Sequence, residues 1–281
     1  MVKRIFSYCG AYKHYVFLSP VFVMLETAGE LALPLLIAKI IDDGIMTGNL
    51  SVIYRIGLYM LLLAIAAVFL GAFGAKFGSY GSIGIGANIR RAEFEKISRF
   101  SFADIDRFSS ASLITRMTND VNAITMMLAI GLRMLTRAPV TLVAALIVTA
   151  SISPRLSLVL LAVIPVMAAA IVLLMKICSR LFEVMQKKID NLNNTVQENL
   201  VAIRVVKAFV REDYEDKKFA RASKNLYDLS VKAEGLLAFN NPAMMVAVYF
   251  CIIMVSWLGA HFIVGGTLSP GDLTSLFSYI M

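Results

Sequence analysis

The sequence lacks the common motifs of catalytic sites. It contains no G-x-x-x-x-G-K-[S/T] loop, so it has no nucleotide phosphate site of that type. It also has no paired carboxylates and no Ser/His/Asp set that would favour hydrolysis. Its two histidines, His14 and His261, are expected at opposite membrane faces, where they cannot share a metal ion. We therefore expect no catalytic, cofactor-binding or metal-binding residues in this chain.

Cysteine is scarce, and a cleavable signal peptide is missing. The 3 cysteines, Cys9, Cys178 and Cys251, are far apart and have no metal-ligand spacing. Because disulfides suit an oxidising compartment, we interpret the three thiols as reduced and ordinary. The first apolar segment is too long for a secretory signal, and no small-residue cleavage site follows it.

Apolar residues, in contrast, are far more abundant than a soluble domain requires. Of the 281 residues 59% are hydrophobic, and the mean hydropathy is +0.76. The net charge of +8 would suit nucleic-acid binding, but the basic residues are unevenly distributed. Of the 27 lysines and arginines, 22 lie in residues 3–13, 76–116 and 176–232. The positive-inside rule then predicts a membrane protein with a cytoplasmic N-terminus and two long cytoplasmic loops, and no nucleic-acid partner.

Apolar and polar stretches alternate along the chain as expected for an all-α membrane protein. Residues 2–13 mix aromatic and basic side chains, which suits a short interfacial helix, with a frayed tail as the alternative. The expected membrane spans are residues 15–41, 54–77, 128–150, 156–176 and 236–264, with the start of a sixth at 272–281. The expected cytoplasmic loops are residues 88–127 and 177–234. Because a span needs about twenty residues, we expect the sixth helix to be truncated and the chain to be a fragment.

Four glycines in and after the second span follow helical spacing. They are Gly71, Gly74, Gly78 and Gly81. Glycine-rich segments can also form phosphate-binding loops, but such a loop follows a strand, and no strand precedes these glycines. The spacing instead predicts one smooth helix face that allows a neighbouring helix to approach closely.

The fourth span continues into a long polar stretch without a helix breaker. No glycine or proline occurs between Val166 and Glu234, and apolar residues recur in steps of three and four from Leu181 to Val206. A helix from Arg155 to Val210 would be roughly 80 Å long, whereas a bilayer core is about 30 Å thick. We therefore expect this helix to leave the membrane and to reach a cytoplasmic target.

The end of this stretch resembles the second cytoplasmic loop of ABC exporters, most closely bacterial multidrug half-transporters, including heterodimeric ones. The resemblance rests on Glu198, on Val205–Phe209, on Arg211–Glu215 and on Phe219. The family often has glycine where this chain has Ala202, a departure that favours a straighter helix. The first loop is similar to the family's first coupling helix over residues 101–108 and 112–121.

The resemblance implies a six-helix exporter-type transmembrane domain in a bacterial inner membrane. In such exporters both loops dock on a nucleotide-binding domain, which binds ATP and Mg. A second transmembrane half completes the substrate path, and membrane lipids surround the two halves. The chain itself would hold neither ATP nor Mg, so whether it counts as an enzyme stays open. The residues expected to contact the nucleotide-binding domain are Phe102, Asp104, Asp106, Arg107, Arg211, Glu212, Asp213 and Tyr214.

Four charged residues lie inside apolar spans, where charge is costly and often functional. Glu26 and Glu30 are four residues apart on one helix, and Arg133 and Arg137 are four apart on another. Counted from the outer helix ends, Glu26 and Arg137 lie at similar depth. The four side chains can therefore pair or line a hydrated substrate cavity, or the arginines can extend to lipid phosphates.

These observations predict a transmembrane part of an ATP-driven exporter that moves a drug-like, lipid or other amphipathic substrate out of the cytoplasm. An ion-coupled secondary transporter using the four charged residues is the alternative. Such transporters usually have short loops and broken helices, which this sequence does not show. A scaffold without a transport role would not need charges within two spans.

Overall fold

A computed structural model describes residues 5–101 and 108–281. Within these residues the secondary structure is helical, and no β-strand occurs in either stretch. The α-helices of this described part follow one another in chain order, and they are numbered α1 to α9. These nine helices are the ones found in residues 5–101 and 108–281: α1 Lys13–Lys39, α2 Leu50–Ile97, α3 Ser110–Thr115, α4 Val121–Ile152, α5 Pro154–Val201, α6 Ile203–Ala208, α7 Glu212–Ala238, α8 Asn240–Val264 and α9 Pro270–Ile280.

Three short helical turns of other types complete the described secondary structure. A 3₁₀-helix covers Ser7–Tyr12, and π-helical segments cover Ile40–Ile45 and Arg116–Asp120. Among the described residues, five helical stretches are long and apolar enough to cross a membrane. They are Ser7–Ile45, Leu50–Ile97, Ser110–Ile152, Pro154–Val201 and Glu212–Val264. The sequence-based prediction of an all-α membrane protein is confirmed.

The chain folds as two compact units. The first contains residues 1–157 and 258–279 with Met281, and its described part includes α1 to α4 and most of α9. The second contains residues 158–257 with Ile280, and includes most of α5, all of α6 and α7, and most of α8. In the first unit a buried apolar cluster joins the N-terminal turn to α1, α2 and α4. Its members are Cys9, Val16, Ile85, Ile89, Val121 and Leu128.

The glycine face of α2 packs directly against α1, as the spacing predicted. A Cβ atom added to Gly81 would lie 2.9 Å from Val16 Cγ2 and 3.3 Å from the Val16 backbone nitrogen. Gly74 and Gly78 face Val23 and Ser19 in the same way, and the Ser19 hydroxyl donates a 2.9 Å hydrogen bond to the Gly74 carbonyl. The missing side chains therefore let the two helix backbones approach closely.

Replacing Gly81 by alanine should destabilise the first unit by about 1–3 kcal/mol, because the added methyl group meets a helix backbone that cannot move aside. Gly57→Ala in the same helix is the matched control, since a Cβ atom there has no neighbour within 4 Å. Alanine is the better helix former, so Gly57→Ala should leave stability unchanged or raise it. Unfolding titrations in maltoside micelles compare the variants, and equal stability of the two would contradict the packing role of Gly81.

The long helix that leaves the fourth span is shorter than predicted. The sequence pattern predicted an uninterrupted helix to Val210 and a straighter course because Ala202 replaces glycine. Instead α5 ends at Val201, and Ala202 adopts φ −91° and ψ 9° before α6 begins. The break lets Ile203 and Val206 line a cavity with Phe219, and it leaves Val206 only 9% exposed. Burial of Val206 beside this cavity, which α7 also lines, outweighs the helix propensity of one alanine.

Two other boundaries also differ slightly from the prediction. The chain reverses at residues 209–211, just before α7, rather than over residues 211–216. The last helix begins at Pro270, two residues earlier than expected, because Ser269 and Asp272 form a capping box around its N-terminus.

Candidate functional site

The four charged residues of the apolar spans lie together in the first unit. Arg137 donates a 2.6 Å hydrogen bond to Glu30 Oε2 and a 3.4 Å hydrogen bond to Glu26 Oε1. Arg133 donates to the same Glu26 oxygen at 3.4 Å. The two glutamates of α1 and the two arginines of α4 therefore form one charge cluster, which contains three ion pairs.

Glu26 is the buried member of this charge cluster. Its side chain is 9% exposed, whereas the side chains of Glu30, Arg133 and Arg137 are 40%, 47% and 39% exposed. The carboxylate lies over Gly71, where a Cβ atom would sit 2.7 Å from Glu26 Oε1. The glycine of α2 thus makes room for the carboxylate, and Glu26 Oε2 is buried without a hydrogen-bond partner among the described residues.

Of the arrangements that the sequence left open, the structure contains the ion pairs. Burying two carboxylates and two guanidinium groups separately would be costly, and pairing them offsets part of that desolvation. The helical spacing of the charges and their similar depth along the spans were sufficient to predict that Glu26 and Arg137 could pair. A role of the four residues in a substrate cavity stays a prediction.

The second candidate site is the tip of the second loop, in the second unit. Val210 has φ 51°, and hydrogen bonds from Arg211 N to Val206 O and from Val210 N to Lys207 O close the end of α6. This is a Schellman motif with valine at the left-handed position that glycine usually occupies. Phe209 and Val210 are 73% and 80% exposed, so two large apolar side chains form the surface of the reversal.

Ion pairs hold the tip between α5 and α7. Lys207 Nζ lies 3.0 Å from Glu212 Oε1, and Lys218 Nζ lies 2.7 Å from Glu198 Oε2. A cavity of about 470 Å³ lies between these helices and is lined by apolar and acidic side chains, among them Ile203 and Asp216. The backbone hydrogen bond of Glu212 at the start of α7, together with Lys207, lowers the pKa of the Glu212 carboxyl, which lies in the predicted cytoplasmic loop of residues 177–234.

The predicted coupling residues of this loop gather at the start of α7. Arg211 is the N-cap of the helix, and Glu212, Asp213 and Tyr214 form its first turn. Arg211 and Asp213 are exposed, and Tyr214 is 61% exposed. Their contact with a nucleotide-binding domain stays a prediction. The corresponding residues of the first loop lie outside the described part of the chain. They are Phe102, Asp104, Asp106 and Arg107.

Sequence reasoning missed a polar link between the first and last helices of the first unit. Asp42 accepts hydrogen bonds from the Ser269 hydroxyl at 2.6 Å and from the Gly271 backbone N–H at 2.9 Å. Further along, the Ser275 hydroxyl donates to the Pro34 carbonyl at 2.6 Å, and the Tyr279 hydroxyl donates to the Leu31 carbonyl at 2.6 Å. The residues on the two helices are more than 200 positions apart, and no helical periodicity relates them.

Comparison with known proteins places the chain in a family. Residues 16–281 match the model of the ABC transporter transmembrane region. The chain is 31% identical over 278 residues to YfiB of Bacillus subtilis (strain 168), named as an uncharacterized ABC transporter ATP-binding protein. That alignment covers 99% of this chain and 48% of YfiB.

Two further relatives carry names of the same form, each an uncharacterized ABC transporter ATP-binding protein. One is from Mycobacterium tuberculosis (strain ATCC 25618 / H37Rv), with 32% identity over 275 residues, 95% of this chain and 46% of the relative. The other is YknU of Bacillus subtilis (strain 168), with 28% identity over 282 residues, 99% of this chain and 48% of the relative. The chain therefore spans about half the length of the curated relatives it matches.

Proposed function

The chain belongs to the ABC transporter transmembrane region family, and from this premise we propose that it is the membrane-spanning part of an ATP-driven exporter. Transport by an ABC system follows from the family. The outward direction and a drug-like, lipid or other amphipathic substrate are our proposal, and they rest on the resemblance of the two loops to those of multidrug exporters. The basic residues of the N-terminus and loops favour a cytoplasmic N-terminus. The bacterial inner membrane is part of our proposal and rests on the resemblance to bacterial exporters.

The observation that carries the proposal is the second loop tip. It presents exposed Phe209 and Val210 beside the acidic first turn of α7, and ion pairs brace it between two long helices. An exposed apolar surface with a charged rim suits a protein partner. We propose that this partner is a nucleotide-binding domain that holds ATP and Mg, and that a second transmembrane half, identical or different, completes the dimer.

In this mechanism the chain contributes a lever and not a catalytic group. ATP binding closes the nucleotide-binding domains, and their movement reaches the loop tip. The helix α5, which at 48 residues is about 70 Å long, carries the displacement towards the apolar segments. The substrate path then changes from inward-open to outward-open. The pairing of the two carboxylates of the apolar spans with arginines disfavours ion-coupled transport through them.

The proposal is tested by transport into inside-out proteoliposomes that contain the complete ATPase-competent assembly. We expect a fluorescent amphiphile to accumulate with ATP and Mg, and not with a non-hydrolysable ATP analogue. Proton or sodium gradients without ATP should drive no accumulation. Accumulation that follows an ion gradient in the absence of ATP would contradict the proposal and support the secondary transporter.

A further inference from the structure

The charge cluster of α1 and α4 is electrically balanced but unequally accessible. Glu26 is 9% exposed and lies over Gly71, so a ligand in a substrate path cannot readily reach its carboxylate. Arg133 has the most exposed side chain of the four, at 47%. The accessible part of the charge cluster therefore contains two guanidinium groups and one carboxylate.

Arg133 is also the more weakly paired of the two arginines in the cluster. A guanidinium group offers several N–H donors, and a charge-assisted hydrogen bond is typically about 2.7–2.9 Å long. Arg133 makes one contact of 3.4 Å, to an oxygen of Glu26 that Arg137 shares. Arg137, in contrast, has a 2.6 Å hydrogen bond to Glu30 Oε2. Among the described residues, Arg133 thus retains donors that face no carboxylate of their own.

Apolar side chains extend along α4 from Arg133. Ile130 lies three residues before it and Met126 seven residues before it, which places them on the same helix face. Ile130 is 52% exposed and Met126 is 66% exposed. A guanidinium group at one end of an apolar stripe is complementary to a molecule with an anionic head and an apolar tail.

We propose that Arg133 binds the anionic head of the transported amphiphile, a carboxylate or a phosphate, while the tail lies along Ile130 and Met126. This inference rests on the proposed function, because it assumes that the charge cluster borders the substrate path. A cationic amphiphile would need an accessible carboxylate. Glu26 is buried, and the carboxylate of Glu30, although 40% exposed, is already paired with Arg137 at 2.6 Å.

The test measures binding to the chain in maltoside micelles by equilibrium dialysis, without ATP. The probes are dodecyl phosphate, dodecyltrimethylammonium and inorganic phosphate, with protein-free micelles as the blank. We expect dodecyl phosphate to bind at least about tenfold more tightly than dodecyltrimethylammonium. Inorganic phosphate, which lacks the tail, should show no saturable binding. Tighter binding of the ammonium probe would overturn the proposal, and equal binding of inorganic phosphate would overturn its amphiphile part.

Variants assign the binding to the residue. Arg133→Gln should weaken dodecyl phosphate binding about tenfold, and Arg133→Lys, which keeps the charge, should weaken it less. Arg55→Gln removes an exposed arginine outside the cluster and should change nothing. If Arg133→Gln unfolds, the lysine variant and the probe preference of the native chain still decide the question. Unchanged binding in folded Arg133→Gln would refute the role of Arg133.

Competition separates the sources of the anion. Displacement of dodecyl phosphate by phosphatidylglycerol supports a membrane lipid as the ligand, and retention supports a different anionic amphiphile. Because the readout does not depend on ATP, it stays separate from the transport assay. If ATP-driven transport fails while anion binding is intact, only the proposed function is contradicted. If ATP-driven transport occurs while anion binding is absent, only this inference is contradicted.

Discussion

Replacing Glu26 by glutamine is expected to lower the free energy of unfolding by about 3 kcal/mol, the low end of the range for breaking a buried ion pair. The change leaves Arg133 without its carboxylate partner and removes one of the two partners of Arg137. The low end applies because both guanidinium groups are partly exposed and water screens them. Unfolding titrations in maltoside micelles measure the loss, with Glu183→Gln on the exposed face of α5 as the control.

A combined variant separates pairing from substrate binding. Glu26→Gln with Glu30→Gln leaves two arginines unmatched, and adding Arg137→Gln removes one of those charges. Recovery of stability in the triple variant would support pairing as the structural role of the glutamates. If the double variant is as stable as the native chain but transports fewer cationic substrates, the carboxylates serve a substrate site instead. A variant unchanged in stability and in transport would show that the glutamates do neither.

Much of the membrane-embedded arrangement followed from the sequence because helical spacing decides which side chains share a face. The glycine spacing of α2 predicted close approach of another helix, and the structure identifies that helix as α1. Depth along the spans predicted that Glu26 and Arg137 could meet. Neither pattern indicated that Gly71 lies under the Glu26 carboxylate, since that contact depends on the rotation of both helices about their axes.

The errors arose where packing between distant segments outweighs local preference. Ala202 has high helix propensity, yet α5 ends beside it, and Val206 is buried at the cavity that α7 also lines. Asp42 reads locally as part of an outer turn, but its carboxylate binds the N-terminus of a helix more than 200 residues away. Such contacts are set by topology, and a single sequence carries no periodic signal for them.

Charge reversal of Glu212 and Asp213 to lysine is expected to reduce ATP-driven transport at least tenfold in the complete assembly while substrate binding changes little. The two residues form the first turn of α7 beside the exposed loop tip, where lysines would oppose both the helix dipole and Lys207. Transport into proteoliposomes and equilibrium binding of substrate are measured in parallel. The same reversal at Asp228, further along α7, is the control. An equal loss of binding with intact coupling of ATP hydrolysis to transport would show that these residues are not the link.

Val210→Gly tests whether the side chain of Val210 docks on a partner. The variant should be more stable than the native chain, but its coupling should fall if the side chain makes such a contact. A β-branched residue at φ 51° costs about 1–2 kcal/mol relative to glycine, so the variant should stabilise the reversal. It also removes an apolar side chain that is 80% exposed in the chain. If that side chain contacts a nucleotide-binding domain, coupling should fall although thermal stability rises. A variant that is more stable and transports normally would show that the strained valine has no partner.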